Sequence, residues 1–168
     1  MGEAGDAALL LVRLTVGAVM AVHGWNHWRG GGGIEGTARW FAGLGLRRPL
    51  LQAWLSVLTE IGAGVLLAAG LFTSLAGAAV ISVMLVAGLL AHRRNGFFVF
   101  KDGYEYVLVL AVLSLALAAW GPGEYAVDTA AGIELTGWPG TGAALGAAIL
   151  GTGTLLALFY RPQAPSAS

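Results

Sequence analysis

A small set of ionisable side chains interrupts the long apolar stretches of this sequence. The set comprises Arg13, His23, Glu60 and Glu105, together with His27 and His92 at the ends of their stretches. A charged group at the centre of a membrane helix costs about 2.5–3.5 kcal/mol or more, so such groups are paired, hydrated or functional. We take the first four as candidate catalytic residues, in which the carboxylates and the arginine would handle protons.

The histidines are compatible with more than one chemistry. His23 and His27 are four residues apart, so they lie on one face of a helix and could share a metal ion. His92 or Glu105 could complete such a site, and three histidines could instead ligate haem. They could also bind a quinone headgroup, or simply contact backbone carbonyls and lipid phosphates at the bilayer surface. No HExxH motif accompanies them, so we expect neither metal nor haem, and we keep His23, His27 and His92 as candidate quinone-binding residues.

The intramembrane charges also suggest an ion pair. Counting residues from the predicted helix ends places the Glu60 backbone about 7 Å further inward than that of Arg13, a gap that a long arginine side chain can close. The sequence therefore predicts an Arg13–Glu60 pair. Such a pair could only set the helix register, or Glu60 could be a carboxylate that carries protons or contacts a ligand.

The composition places these residues in a membrane protein. The 168 residues are 57% hydrophobic and only 11% charged, with a mean hydropathy of +0.77. Soluble domains are about 45–50% apolar and about 25% charged, so an ordinary soluble enzyme, a nucleic-acid-binding protein and a disordered chain are excluded. The absence of cysteine excludes disulfides, zinc–thiolate sites and iron–sulfur clusters.

Five apolar segments are long enough to predict membrane-spanning helices. They are Ala8–Trp28, Leu50–Leu71, Ser74–Ala91, Tyr104–Trp120 and Gly140–Tyr160. The predicted fold class is therefore all-α, a polytopic transmembrane bundle. The first segment is too long for a signal peptide and follows Glu3 and Asp6 rather than basic residues, so we expect it to be retained.

The charges separate by loop. Eight of the nine basic residues fall in the loops after the first and third segments and in the C-terminal tail: Arg29, Arg39, Arg47, Arg48, Arg93, Arg94, Lys101 and Arg161. The opposite side carries only acids: Glu3, Asp6, Glu124, Asp128 and Glu134. The positive-inside rule predicts a multi-pass protein of the cell membrane with its N-terminus outside and its C-terminus in the cytoplasm.

The connecting segments also carry structural signals. The four glycines at 30–33 predict a flexible link, and 36–44 a short helix in the inner interface. Residues 95–103 (NGFFVFKDG) predict an interfacial loop or partly re-entrant hairpin. The 121–139 loop is long enough to fold over the outer mouth, and the 161–168 tail is expected to be disordered. In the last segment, Gly142 and Gly146 form a GxxxG motif, which favours contact with another helix, including that of a second copy.

The order of the short motifs resembles that of the DoxX family of small membrane proteins. The resemblance covers about residues 9–128 and rests on LVRL (11–14), VHG (22–24), WFAGLGL (40–46), TEIGAGVLL (59–67), AAGLFT (68–73), NGFF (95–98), GYEY (103–106) and GPGEYAVD (121–128). The family usually has lysine where this chain has His27, which puts in doubt any role that needs a permanent charge there. It implies a four-helix unit, 1–128, to which this chain adds an outer loop and fifth helix, 129–160, before the tail.

The resemblance implies functional or structural polar positions at Arg13, His23, Glu60 and Glu105. It also implies a membrane-anchoring subunit of a redox complex, linked to quinone in relatives that take part in sulfur oxidation, with a soluble oxidoreductase bound at the cytoplasmic face. Whether the protein is itself an enzyme stays open. The alternatives are a scaffold or assembly factor without chemistry and, third, a small transporter, although no inverted repeat is evident. The lipid bilayer is an expected partner, and no nucleic-acid partner is expected.

Overall fold

The computed structural model describes residues 2–133 and 135–162, and in these the fold is an all-α bundle. Its helices are α1 (Glu3–Arg29), α2 (Gly33–Gly43), α3 (Pro49–Ala69), α4 (Thr73–Ala87), α5 (Glu105–Trp120), the short α6 (Val127–Ala130) and α7 (Gly137–Phe159). A π-helical turn (Gly88–His92) and two 3₁₀ turns (Arg93–Asn95 and Val99–Lys101) lie between α4 and α5. Glu134 and the 163–168 part of the predicted disordered tail lie outside the described residues.

Four helices of the described chain are long and apolar enough to cross a membrane. They are Glu3–Arg29, Pro49–Ala69, Thr73–Asn95 and Gly137–Phe159, whereas α5 has 16 residues. Contacts near the two ends of α5 show that it nevertheless extends along most of the length of α1. Tyr106, at its start, meets His23 near the end of α1, and Glu124, just after its end, bonds to Asp6 near the start of α1. The prediction of an all-α polytopic bundle is confirmed.

Glycines bring α1 and α3 into close backbone contact. A Cβ atom on Gly64 would lie 2.5 Å from the carbonyl oxygen of Gly17, and a Cβ on Gly17 would lie equally close to that of Gly64. About two turns further along α1, Gly24 packs against Glu60, and a Cβ on Gly24 would lie 3.1 Å from the Cβ of Glu60. Glycine at these positions lets the two backbones touch, as small residues do between membrane helices.

The C-terminal helix α7 is packed into the bundle. Ala144 and Ala148 of α7 form a fully buried cluster with Ala118 of α5 and with Ala78 and Ile81 of α4. The end of α7 is also tied to the α2–α3 linker, because Leu46 and Tyr160 form an antiparallel bridge. Two backbone hydrogen bonds extend this bridge, Arg47 N–H to Phe159 O (2.7 Å) and Arg161 N–H to Gly45 O (2.9 Å).

The glycines of the GxxxG motif lie on a different face of α7. Cβ atoms on Gly142 and Gly146 would meet nothing within 4 Å. The close helix contact predicted for them is therefore not made within the described part of this chain. Contact with a second copy stays a prediction.

We predict that Gly64→Ala destabilises the protein and that Gly62→Ala, in the same helix, does not. A methyl group at Gly64 would overlap the Gly17 carbonyl, whereas one at Gly62 meets nothing within 4 Å. Both changes improve helix propensity by up to about 1 kcal/mol, so Gly62→Ala is a matched control. Melting temperatures in detergent should fall for Gly64→Ala and stay equal or rise for Gly62→Ala. Equal melting temperatures for both variants would contradict the contact.

Candidate functional site

A cavity opens among the helices at one end of the bundle. We call this end, which carries the basic residues, the basic end. Its volume is about 340 Å³ and its walls are mostly apolar; α1, α2, α3, α4, α5, α7 and the π-helical turn all contribute to them. Ligand pockets in proteins typically measure about 300–1,000 Å³. The polar side chains that line it are His23, His27, Gln52, Ser56, Thr59, Glu60, Ser82, His92 and Tyr106.

Glu60 is the buried acid of this cavity, with only 2% of its surface exposed. The Ser56 hydroxyl donates to Glu60 Oε1, and His27 Nε2 lies 3.6 Å from the same oxygen. Glu60 Oε2 has no hydrogen-bond partner among the described residues. One carboxylate oxygen is thus held by protein, and the other is buried without a hydrogen-bond partner among the described residues.

The orientation of His27 follows from Thr37 of α2. The Thr37 hydroxyl donates to the carbonyl oxygen of His27 at 2.8 Å and lies 3.4 Å from its Nδ1. Because the single hydroxyl hydrogen is used on the carbonyl, its oxygen is left to accept from Nδ1–H. With Nδ1 protonated, Nε2 is the nitrogen that faces Glu60. A single proton carried by Nε2 or by the carboxylate is then enough to make the contact favourable. Trp40 stacks on the His27 ring, with centroids 5.9 Å apart.

His23 and Tyr106 form a second polar pair in the cavity wall. The Tyr106 hydroxyl lies 3.2 Å from His23 Nε2, and the two rings are in contact with centroids 5.6 Å apart. His23 is exposed where His27 is partly buried. This pair therefore stands at the open edge of the cavity, and the Glu60–His27 pair lies deeper.

The predicted Arg13–Glu60 ion pair is wrong. The α1–α3 contact sets Gly24, not Arg13, beside Glu60, and Arg13 lies eleven residues earlier, about 16 Å along the helix. The depth estimate failed because it counted from predicted helix ends, whereas the register is set by the glycines.

Arg13 instead holds the loop that follows α5. It is fully buried, packs against Gly70, and its Nη2 donates to the carbonyl oxygen of Tyr125. The Asp128 carboxylate attracts the guanidinium and also accepts the backbone N–H groups of Phe72 (2.7 Å) and Thr73 (2.8 Å) at the start of α4. The 121–139 loop does fold over this end of the bundle, as the sequence predicted.

The remaining candidate residues, Glu105 and His92, stabilise the loop before α5. Glu105 Oε2 accepts the backbone N–H of Val99 at 2.9 Å, and His92 Nδ1 lies 2.7 Å from the carbonyl oxygen of Asp102. His92 also lines the cavity, and Glu105 does not. Because the three histidines bond to different elements, they do not converge on one metal ion. No group of three His, Asp or Glu side chains in the described chain is arranged to hold one.

Three residues of the cavity were not predicted from the sequence: Gln52, Ser56 and Tyr106. Gln52 is 3% exposed and its Nε2 has no hydrogen-bond partner among the described residues. Gln52, Ser56 and Glu60 are spaced by four residues, so they form a polar stripe along one face of α3. That spacing was available from the sequence. Tyr106 has the position in the sequence of an ordinary aromatic residue at the bilayer interface.

Comparison with protein families decides the relationship. The DoxX family model matches residues 8–93. The chain belongs to the DoxX family. The DoxX match contains Arg13, His23, His27 and Glu60, and it ends before α5 and α7. No curated protein and no solved structure matches the chain.

We predict that Asp128→Asn destabilises the protein by about 1–3 kcal/mol, because it removes the carboxylate that caps α4 and the charge that faces the buried Arg13. Glu124→Gln is the matched control, since Glu124 is an exposed acid of the same loop. Melting temperature in detergent should fall clearly for Asp128→Asn alone. If both variants melt alike, the loop is not held by this interaction.

Proposed function

We propose that this DoxX protein is a membrane-anchoring, quinone-binding subunit of a redox complex. The observation that carries the proposal is the cavity itself. It is apolar along most of its walls, and its buried acid has one oxygen without a partner among the described residues. This combination suits a lipid-soluble ring that bears polar oxygens.

The residues present fit a quinone headgroup. Tyr106 offers a hydroxyl donor at the edge of the cavity, and Gln52 offers an amide N–H₂ that lacks a partner among the described residues. Both are groups that donate to carbonyl oxygens. Trp40 and Phe41 add aromatic surface beside His27.

A bound quinone would supply two-electron, two-proton redox chemistry at this site. The chain's own contribution would be to hold protons. A proton carried by Glu60 or His27, whose Oε1 and Nε2 lie 3.6 Å apart, would be held at the buried end of the cavity, and Ser56 and Thr37 orient the two side chains. His23 and Tyr106 would orient the headgroup at the open edge.

The electrons would come from a soluble oxidoreductase bound at the basic end. Arg39, Arg47 and Arg48 are exposed there, and the positive-inside rule assigns such an end to the cytoplasm. This orientation puts the N-terminus outside and the C-terminus inside the cell membrane. The same exposed arginines also favour the second candidate, a scaffold that docks a partner without chemistry.

We predict that Glu60→Gln weakens binding of a short-chain quinone about tenfold or more, which corresponds to about 1.4 kcal/mol, while the protein still accumulates. The amide is isosteric but cannot exchange a proton with His27. The measurement is quenching of tryptophan fluorescence in the purified protein, because Trp40 lines the cavity. Trp40→Phe should remove most of the specific quenching.

Ser114→Ala is the control for Glu60→Gln. Ser114 is buried within α5, and its hydroxyl likewise lacks a partner among the described residues, yet it does not line the cavity. It should leave quinone affinity unchanged. Wild-type protein that shows no saturable quenching would overturn the quinone proposal and leave the scaffold. A loss of accumulation in Glu60→Gln would point to a structural role.

A further inference from the structure

A second, smaller cavity lies beside the first at the basic end. Its volume is about 170 Å³. Arg93 and Arg94 line it from the 3₁₀ turn after α4, and Tyr160 lines it from the end of α7. Leu44 and Leu90 line both cavities and form the wall between them.

Arg93 and Arg94 form no ion pair with another described residue. Neither has a carboxylate within 4 Å among the described residues, and the one such ion pair there is His27–Glu60. Glu105, the second acid that follows them in the chain, accepts the Val99 N–H. Adjacent guanidinium groups without acids form a site for phosphate, which arginine binds in bidentate fashion.

The position of the cavity indicates which phosphate it receives. It lies where the apolar span Thr73–Asn95 and α7 end, and a membrane-spanning helix leaves the hydrocarbon core at its end. Leucines form its other wall. A phospholipid places its phosphate at this level and its acyl chains against apolar helix surface. Basic pockets between membrane helices on the cytoplasmic side bind anionic lipid headgroups in this manner.

We propose that Arg93, Arg94 and Tyr160 bind the phosphate of an anionic phospholipid. The site is independent of quinone binding, because it lies on the other side of the Leu44–Leu90 wall. It also depends on the fifth helix, since the bridge between Leu46 and Tyr160 holds one side of the cavity in place. A bound lipid would therefore reinforce the docking of α7 on the DoxX-matched segment.

The test is native mass spectrometry and melting of the full chain in detergent with phosphatidylglycerol, phosphatidylcholine or inorganic phosphate added. We expect one retained phosphatidylglycerol and a higher melting temperature, with smaller effects from zwitterionic phosphatidylcholine and from millimolar phosphate. The phosphatidylglycerol effect should weaken as salt is raised. An equal effect of inorganic phosphate would overturn the assignment to a lipid.

The variant Arg93→Gln/Arg94→Gln should reduce phosphatidylglycerol affinity about tenfold. Arg47→Gln/Arg48→Gln is the matched control, because it removes an adjacent arginine pair at the same end that does not line the cavity. Equal losses in both variants would overturn the site in favour of diffuse attraction. Arg93→Lys/Arg94→Lys, which keeps the charge, should bind more weakly than wild type and more tightly than the glutamine variant.

Discussion

The contact between Gly17 and Gly64 determines where the polar side chains of this bundle meet. With no side chain between them, the α1 and α3 backbones touch and cannot slide without a clash. This register places Gly24 against Glu60 and brings His27, one turn later, to the Glu60 carboxylate. It also carries Arg13 to Gly70, far from that acid. The deep part of the cavity and the anchor of the loop after α5 both depend on it.

The buried charges therefore divide into two groups with different consequences. Arg13 and Asp128 join α1, the start of α4 and the loop after α5. Arg13 Nη2 and both Asp128 carboxylate oxygens bond to backbone groups, and Arg13 Nε and Nη1 have no partner among the described residues. Glu60 and His27 face an apolar cavity, and Glu60 keeps an oxygen without a protein partner in the described chain. A buried group committed to backbone stabilises a fold, whereas one with unused bonding capacity beside a cavity is suited to a ligand.

The fifth helix contributes to the basic end as well as to the bundle. Its last residues pair with the α2–α3 linker, and Leu155 reaches the large cavity. Tyr160 completes the smaller cavity beside Arg93 and Arg94. A helix outside the DoxX match thus helps to form both cavities, the polar groups of which differ. One holds a protonatable pair, and the other holds two permanent cations.

The all-α class, the five apolar segments and the separation of charge between loops follow from the sequence alone. Each reflects local composition against a bilayer, in which every backbone group must be bonded within its own segment. The short helix at 33–43 and the importance of the buried ionisable residues could also be predicted from local composition. The partners of those residues could not. Arg13 meets Tyr125 and Asp128, more than 100 residues away in the chain, because a loop folds back over the bundle, and Glu60 meets His27 because glycines set a register. Only the tertiary structure decided these pairings, since residue counting fixes depth to within a few turns while a hydrogen bond requires a few tenths of an ångström.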